Sequence, residues 1–350
     1  MPTTALTPTR YYRQQARTAQ RAAARAVRTW AAIDQDAIGP SWRDLLPVLL
    51  AGVTDDQVAA AAGAASAPLL ADQPPAGLVP SAFAGRAADG RGLDTLLQVP
   101  VITTLRRISD GAAPRTALRA GALQLVQIIR SEVTDAGRLA GHAAIADTPA
   151  IVGYERIVVP PACTRCVVLA GRLYPWTSGF RRHPRCDCQH RAVTRQQWRE
   201  QGRSNTPQQL LDAMTADQRR KGGLTAADEQ ALSQGADLNQ LVNARRGAAG
   251  MAPPGARTTG ERLALQDGRT RGRVTPVRLY GRDVYVTTEG TTTRGLAGQR
   301  LGARRDGVRL PGERYGRARA PRLLPQQIFT EAGSDRDLAR RLLHTNGYIL

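Results

Sequence analysis

All four cysteines of this 350-residue chain, and two of its four histidines, lie between residues 163 and 190. In chain order the group is Cys163, Cys166, His183, Cys186, Cys188 and His190. Zinc prefers thiolate and imidazole ligands, and a Cys-x-x-Cys turn can present two sulfur atoms to one ion. The spacing therefore predicts a structural zinc site.

The segment offers more ligands than a tetrahedral ion needs, since structural zinc takes four. The predicted ligands are Cys163, Cys166 and Cys186, completed by either His183 or Cys188. His190 is the least favoured of the six. Two other interpretations stay open on the sequence alone: buried cysteines without a metal, and a disulfide formed after the protein leaves the cytosol.

The same residues give little support to catalysis. A nucleophilic cysteine needs a neighbouring base and usually stands alone. A zinc hydrolase would place a glutamate in His-Glu-x-x-His, and neither Glu155 nor Glu200 lies in that motif. The chain also lacks a Gly-x-Ser-x-Gly elbow, a phosphate-binding loop and a dinucleotide fingerprint. The sequence favours a non-enzymatic protein and leaves proteolysis open.

The formal net charge of +20 is concentrated towards the C-terminus. Residues 251–350 hold 19 arginines and 9 acidic residues, against 15 and 12 in residues 1–150. A positive electrostatic field of this kind attracts polyanions such as nucleic acids. The predicted nucleic-acid or partner contacts are Arg294, Arg300, Arg304, Arg305, Arg309, Arg314, Arg317 and Arg319. An Arg-rich tail that only aids solubility is the alternative.

Helical spacing extends from Tyr11 to Ile33 and places arginines on one face. These are Arg13, Arg17, Arg21, Arg25 and Arg28. The favoured interpretation is a solvated helix face, and a surface for nucleic acid or an acidic partner is the alternative. The N-terminus lacks a secretory signal, and no stretch of about 18 uncharged apolar residues is evident, so a soluble protein without membrane contact is expected.

The remaining elements predict an α+β fold that is predominantly α. Helices are expected at 42–50, 54–70, 93–108 and 115–146, a strand near 151–158, short helices between 194 and 246, a β-hairpin over 274–290 and two final helices at 325–332 and 335–344. Three regions follow: a helical region (1–147), a small α+β domain stapled by the Cys/His motif (148–250), and a basic region with the hairpin and terminal helices (251–350).

At the Cys/His segment the sequence resembles the MuF-like minor head proteins of tailed bacteriophages, also called phage head morphogenesis proteins. The likeness rests on Cys163-x-x-Cys166-x-x-Leu169-x-Gly171-x-x-Tyr174, followed by His183-Pro184-x-Cys186-x-Cys188 and Ala192-Val193. Residues 235–247, the YVTTEGTTTRG segment and the final HTNGYIL look like the versions carried by phages of actinobacteria. A GC-rich host would also agree with the use of arginine almost to the exclusion of lysine.

The resemblance implies an internal component of the virion, incorporated near the portal while the head assembles in the host cytoplasm. Its implied partners are the portal protein, the scaffold and the major capsid protein, with possible contact to packaged double-stranded DNA.

Some related phage proteins are described as capsid maturation proteases, which keeps that function as the alternative. A free nucleic-acid-binding protein is a third. In a serine protease, His142 would be the available base, although helix packing is the favoured role for it.

Overall fold

The computed structural model describes residues 8–64, 77–179, 186, 188–200, 206–248, 276–279, 282–292, 307–308 and 317–349. Within these ranges the protein is predominantly helical and has two small antiparallel sheets. The predicted α+β class is therefore confirmed. Contacts divide the chain into two compact units, one formed by residues 1–159 and 169–207 and the other by residues 160–168 and 208–350.

Long helices dominate the first unit. They are α1 (Pro8–Ala31), α2 (Ile38–Gly63), α3 (Leu93–Ser109) and α4 (Pro114–Ala146), with a 3₁₀ turn at Pro80–Phe83. Their shared core combines alanines of α1 with larger side chains of the other helices, such as Trp42, Leu49, Leu97 and Ile129. Small residues on α1 let the helices approach closely, so the longest apolar side chains fill the space between them.

The helix α2 differs from the prediction of two helices at 42–50 and 54–70. It runs without a break through Pro47 and Thr54, and residues 65–70 lie outside the described ranges. A proline inside a helix costs about 3 kcal/mol. Leu46, Leu49 and Val53 are nevertheless buried on both sides of it. Tertiary packing thus overrides the local signals that predicted a break.

By length and composition alone, α2 could also cross a membrane. The sequence expectation concerned stretches without charged residues, and α2 contains Arg43, Asp44, Asp55 and Asp56. A core helix of a soluble protein passes the same test, and Trp42, Leu46, Leu49 and Val53 pack into the core of the first unit. The apolar character of α2 is therefore explained by its packing.

A three-stranded antiparallel sheet completes the first unit. Its strands are β1 (Ile151–Ile157), β2 (Leu173–Pro175) and β3 (Gln189–Thr194), in the order β2-β1-β3, and β3 leads into the short helix α6 (Arg195–Arg199). Tyr154 and Ala192 pack with Ala144 and Ile145 of α4 and with Tyr11 of α1. The sheet is therefore held against the C-terminal end of α4.

The second unit contains short helices and a four-stranded sheet. Its elements are α5 (Thr164–Val167), α7 (Pro207–Asp212), α8 (Ala216–Gly222), α9 (Ala226–Ser233), α10 (Leu238–Ala248), β4 (Pro276–Leu279), β5 (Arg282–Glu289), β6 (Gly307–Val308), β7 (Arg317–Leu323), α11 (Pro325–Ala332) and α12 (Arg336–Thr345). The strand order is β4-β5-β7-β6 and the pairs are antiparallel. The predicted hairpin is confirmed as β4 and β5.

Buried polar contacts fix the elements of the second unit. Arg245 pairs with the fully buried Asp228 at 2.9 Å and also donates a hydrogen bond to Gln326 of α11. The hydroxyl of Tyr348 donates to the carbonyl of Leu323, and the carbonyl of Tyr348 accepts from the N–H of Asp237. The C-terminal residues are thus part of the folded core.

Candidate metal centre

The Cys-x-x-Cys pattern forms the tight turn that its spacing predicts. Cys163 precedes the first turn of α5, and its carbonyl accepts hydrogen bonds from the N–H groups of Cys166 (2.9 Å) and Val167 (3.0 Å). Cys166 is fully buried, whereas Cys163 is partly exposed. The backbone therefore folds back within one helical turn, as a metal-binding knuckle requires.

Three of the cysteines bring their sulfur atoms together. The Sγ atoms of Cys166, Cys186 and Cys188 all lie within 4.8 Å of one another, and all three residues are buried. The Sγ atoms of Cys186 and Cys188 are 2.9 Å apart, and both residues are free thiols. A disulfide bond is shorter, at about 2.05 Å. The cluster could hold a metal ion.

Of the other candidate ligands, Cys163 and His190 are described and neither belongs to this cluster. His183 falls outside the described residues. His190 lies on β3 and is buried, with its ring 4.4 Å from that of Tyr154 and 5.8 Å from that of His142. His190 is likewise outside the thiol cluster, so among the described residues the cluster is made of cysteines alone.

Arg138 of α4 holds the Cys-x-Cys backbone in place. Its side chain is almost completely buried, donates from Nε to the carbonyl of Cys188 at 2.6 Å, and donates from Nη2 to the carbonyl of Cys186. Its Nη1 pairs with Asp135 at 2.6 Å. Burial disfavours the charged guanidinium, but the negative charges of Cys188, Cys186 and Asp135 outweigh it and raise the pKa of Arg138.

Arg156 contacts the cluster from the sheet. This residue of β1 is 1% exposed, and its Nη2 donates to the Sγ of Cys186 at 3.6 Å. Its neighbour Glu155 pairs with Arg191 of β3 at 2.5 Å. Cationic groups close to a thiol favour the thiolate, which is the form that binds metals. Arg138 and Arg156 therefore provide positive charge where thiolates would form.

Sequence reasoning missed both arginines as parts of the site. Arg138 lies seven residues before the buried Ile145, and it therefore lies on nearly the same face of α4. Arg156 shares a strand face with Tyr154 under the two-residue period of β1. In each case the position could have indicated burial, although an arginine at such a position is usually exposed.

The signature residues between the cysteines build the sheet beside the cluster. Gly171 adopts φ +68°, a conformation that favours glycine, and its N–H donates to the carbonyl of Arg156 at 3.1 Å. Three residues later, Tyr174 of β2 stacks on Tyr154 with ring centroids 5.4 Å apart. These positions of the motif thus have structural roles in the first unit.

His142 does not form the start of a catalytic triad in the described part of the chain. Its Nε2 lies 2.8 Å from the carbonyl oxygen of Trp176, and its ring packs against Tyr154. The hydrogen bond recorded for the ring is therefore to backbone and not to a hydroxyl or thiol. Packing between α4 and the sheet accounts for this histidine.

The predicted basic contacts are only partly placed. Arg317 and Arg319 lie in β7, and nothing of their side chains is described. The other predicted contacts fall outside the described residues, namely Arg294, Arg300, Arg304, Arg305, Arg309 and Arg314. Their role as a nucleic-acid surface stays a prediction.

Comparison with known proteins gives one family. A family model described as VG15 protein matches residues 3–216, which include the helical part of the first unit, its sheet and all four cysteines. No curated protein and no solved structure shows significant similarity to the chain.

Proposed function

The chain belongs to the VG15 protein family, a family of phage proteins, and on this premise we propose that it is a minor head protein of a tailed phage. In this proposal it joins the head during assembly, close to the portal, and remains inside the virion. The host would be an actinobacterium, in keeping with the composition.

The thiol cluster carries the proposal. It is built from residues of the signature that resembles MuF-like head proteins, and Gly171 and Tyr174 of that signature support the adjoining sheet. Among the described residues, the groups that surround the cysteines are buried arginines in hydrogen bonds with sulfur and backbone. Such an arrangement would stabilise a small fold, in keeping with a structural role.

The donor set fits a structural zinc ion. Cys166, Cys186 and Cys188 would supply three thiolates, and either His183 or Cys163 would complete four ligands. Three thiolates and Zn²⁺ together carry one negative charge, which the guanidinium of Arg156 beside Cys186 would offset. The ion would supply a crosslink between distant parts of the sequence and no reaction step.

The proposed partners follow from the location. The protein would contact the portal protein, with the scaffold and the major capsid protein as neighbours during assembly, and could meet packaged double-stranded DNA. Contacts with DNA would be made to phosphates, so they would not depend on base sequence and would weaken steeply as salt increases.

Mass spectrometry of purified virions tests this function. We expect the protein in mature particles in fewer copies than the major capsid protein, and crosslinked to the portal protein. Its absence from both virions and procapsids would overturn the proposal. If capsid termini were trimmed, and the purified protein performed the same cleavage in a manner lost in His142→Ala, the alternative of a maturation protease would replace it.

A further inference from the structure

The helix α1 presents a basic face on the surface of the first unit. It contains six arginines and no acidic residue. Arg13, Arg17, Arg21 and Arg28 are exposed. At about 100° of rotation per residue, these four side chains fall within an arc of about 80° on the helix surface. They therefore form one continuous face, named here the α1 basic face.

The packing of α1 fixes the direction of this face. Tyr11, Gln15, Ala22 and Ala26 are buried on the other side of the helix, where they meet the core of the first unit. A fifth arginine of this helix, Arg25, lies beside the face and pairs with Asp56 at 3.4 Å. The fold thus holds the arginines of the face away from the core and exposed to solvent.

We propose that the α1 basic face binds the phosphate backbone of double-helical DNA. From Arg13 to Arg28 the helix rises about 22 Å, which matches about six base pairs at about 3.4 Å each. Arginine binds phosphate with paired N–H donors, and a straight helix of this length can lie across a groove and reach phosphates of both strands, since the major groove is about 12 Å wide. The contact would be independent of base sequence.

The composition of α1 favours a duplex over single-stranded nucleic acid. Proteins that bind single strands stack the bases on exposed aromatic rings. Within Pro8–Ala31 the aromatic residues are Tyr11, Tyr12 and Trp30, and all three are buried. The face consequently offers charge without a stacking surface, which suits paired bases and an exposed backbone.

The face also differs from a typical protein interface. Such interfaces contain an apolar centre surrounded by polar residues. Along α1 the exposed neighbours of the arginines include Gln14 and Gln20, and Val27 is the one large apolar side chain of this helix with high exposure. An acidic protein segment is therefore a weaker match than DNA.

Binding of a fluorescent 30-base-pair duplex to the purified full chain tests the proposal, whatever the location of the protein in a virion. The test variant carries Arg13→Gln, Arg17→Gln, Arg21→Gln and Arg28→Gln. The matched control carries the same change at four exposed arginines of α3 and α4: Arg106, Arg107, Arg115 and Arg119. Both variants lose four charges, so only the position of the loss differs.

We expect the slope of log affinity against log salt to become shallower by about 3 to 4 in the α1 variant, since each phosphate contact contributes about 0.9. The control should keep the wild-type slope, and a version with four Arg→Lys changes in α1 should keep most of the affinity. Tryptophan fluorescence would verify that each variant is folded, because all four tryptophans lie in the first unit.

Three results would overturn the proposal. One is the same slope for the α1 variant and the control. Another is tighter binding of the wild type to a single strand of equal length than to the duplex. The third is tighter binding to polyglutamate than to the duplex at equal salt, with loss of that binding in the α1 variant, which would assign the face to an acidic protein partner.

Discussion

The guanidinium of Arg138 donates a hydrogen bond of 2.6 Å from Nε to the carbonyl oxygen of Cys188, fifty residues further along the chain. A second bond from the same side chain reaches the carbonyl of Cys186. The C-terminal part of α4 is thereby joined to the segment that carries two of the clustered thiols. The geometry of the cluster thus depends on a residue outside the Cys/His motif.

Replacement of Arg138 by methionine should destabilise the first unit strongly. The change leaves two carbonyl oxygens without their donor and Asp135 without its cation, and removal of one partner from a buried charged pair typically costs about 3 to 5 kcal/mol. Urea unfolding followed by tryptophan fluorescence would measure the free energy of unfolding.

Arg119→Met is the matched control for this change, because Arg119 is an exposed arginine of the same helix. It should alter the unfolding free energy by less than about 0.5 kcal/mol. Equal midpoints for the two variants would contradict the role assigned to Arg138. Arg138→Lys should fall between wild type and methionine, since lysine keeps the charge but cannot form the same set of planar bonds.

Local sequence signals predicted most of the helices and failed where packing decides. The helices α3 and α4 follow from apolar periodicity over many turns and agree with the prediction within one residue at each end. In α2, however, the predicted interruption between residues 50 and 54 is absent, because buried leucine and valine side chains continue across it. The strand β7 was missed because its arginines suggested an irregular basic stretch.

The candidate metal centre was likewise only partly predictable from local sequence. Spacing predicted that Cys166 and Cys186 share one site, and it offered Cys188 only as an alternative to His183 for the fourth ligand. The spacing could not show that Cys163 lies outside the cluster, which depends on how the turn is oriented. Nor could it identify Arg138, since burial of that side chain results from contacts with residues fifty positions away.

Metal content should depend on the three clustered cysteines. Protein purified without chelator should contain about one zinc ion per chain. The variants Cys166→Ser, Cys186→Ser and Cys188→Ser should each bind zinc with at least tenfold lower affinity, because each loses a thiolate ligand. Inductively coupled plasma mass spectrometry and competition with a chromogenic chelator would measure both quantities.

Comparison of Cys163→Ser with His183→Ala would identify the fourth ligand. The variant that lowers zinc affinity to the level of Cys186→Ser marks the ligand, while the other should keep wild-type affinity. Metal-free protein with four freely titrating thiols in the native state would contradict the zinc site altogether.

The close contact between Gly153 and its neighbours gives a test of the sheet. A Cβ atom on Gly153 would lie less than 3.0 Å from the carbonyl oxygen of Tyr174 and from the ring of Trp198. Because a backbone atom of β2 cannot move without loss of strand pairing, Gly153→Ala should destabilise the first unit by about 1 to 3 kcal/mol.

Gly179→Ala provides the control, since a Cβ at Gly179 would have no atom of the described residues within 4 Å. We expect a change of less than about 0.5 kcal/mol for this variant in the same urea experiment. A Gly153→Ala protein as stable as the Gly179→Ala protein would show that β1 and β2 are not as closely packed as described.

Tyr348 should make the second unit sensitive to alkaline pH. Burial raises the pKa of its phenol to about 12, although the positive charge of Arg322 acts to lower this pKa. Between pH 10 and 12 the unfolded chain releases this proton while the folded chain retains it. The contribution of Tyr348 to the free energy of unfolding is therefore fully present below pH 10. It declines as the pH rises and is lower by about 1 kcal/mol at pH 11.

The variant Tyr348→Phe separates this effect from general alkaline unfolding. At pH 8 it should be less stable than wild type by about 1 kcal/mol, because the hydrogen bond to the carbonyl of Leu323 is lost. Phenylalanine does not ionise, so the difference should shrink towards zero by pH 11. Calorimetric unfolding of both proteins at the two pH values measures this difference, and a gap that widens with pH would contradict the raised pKa of Tyr348.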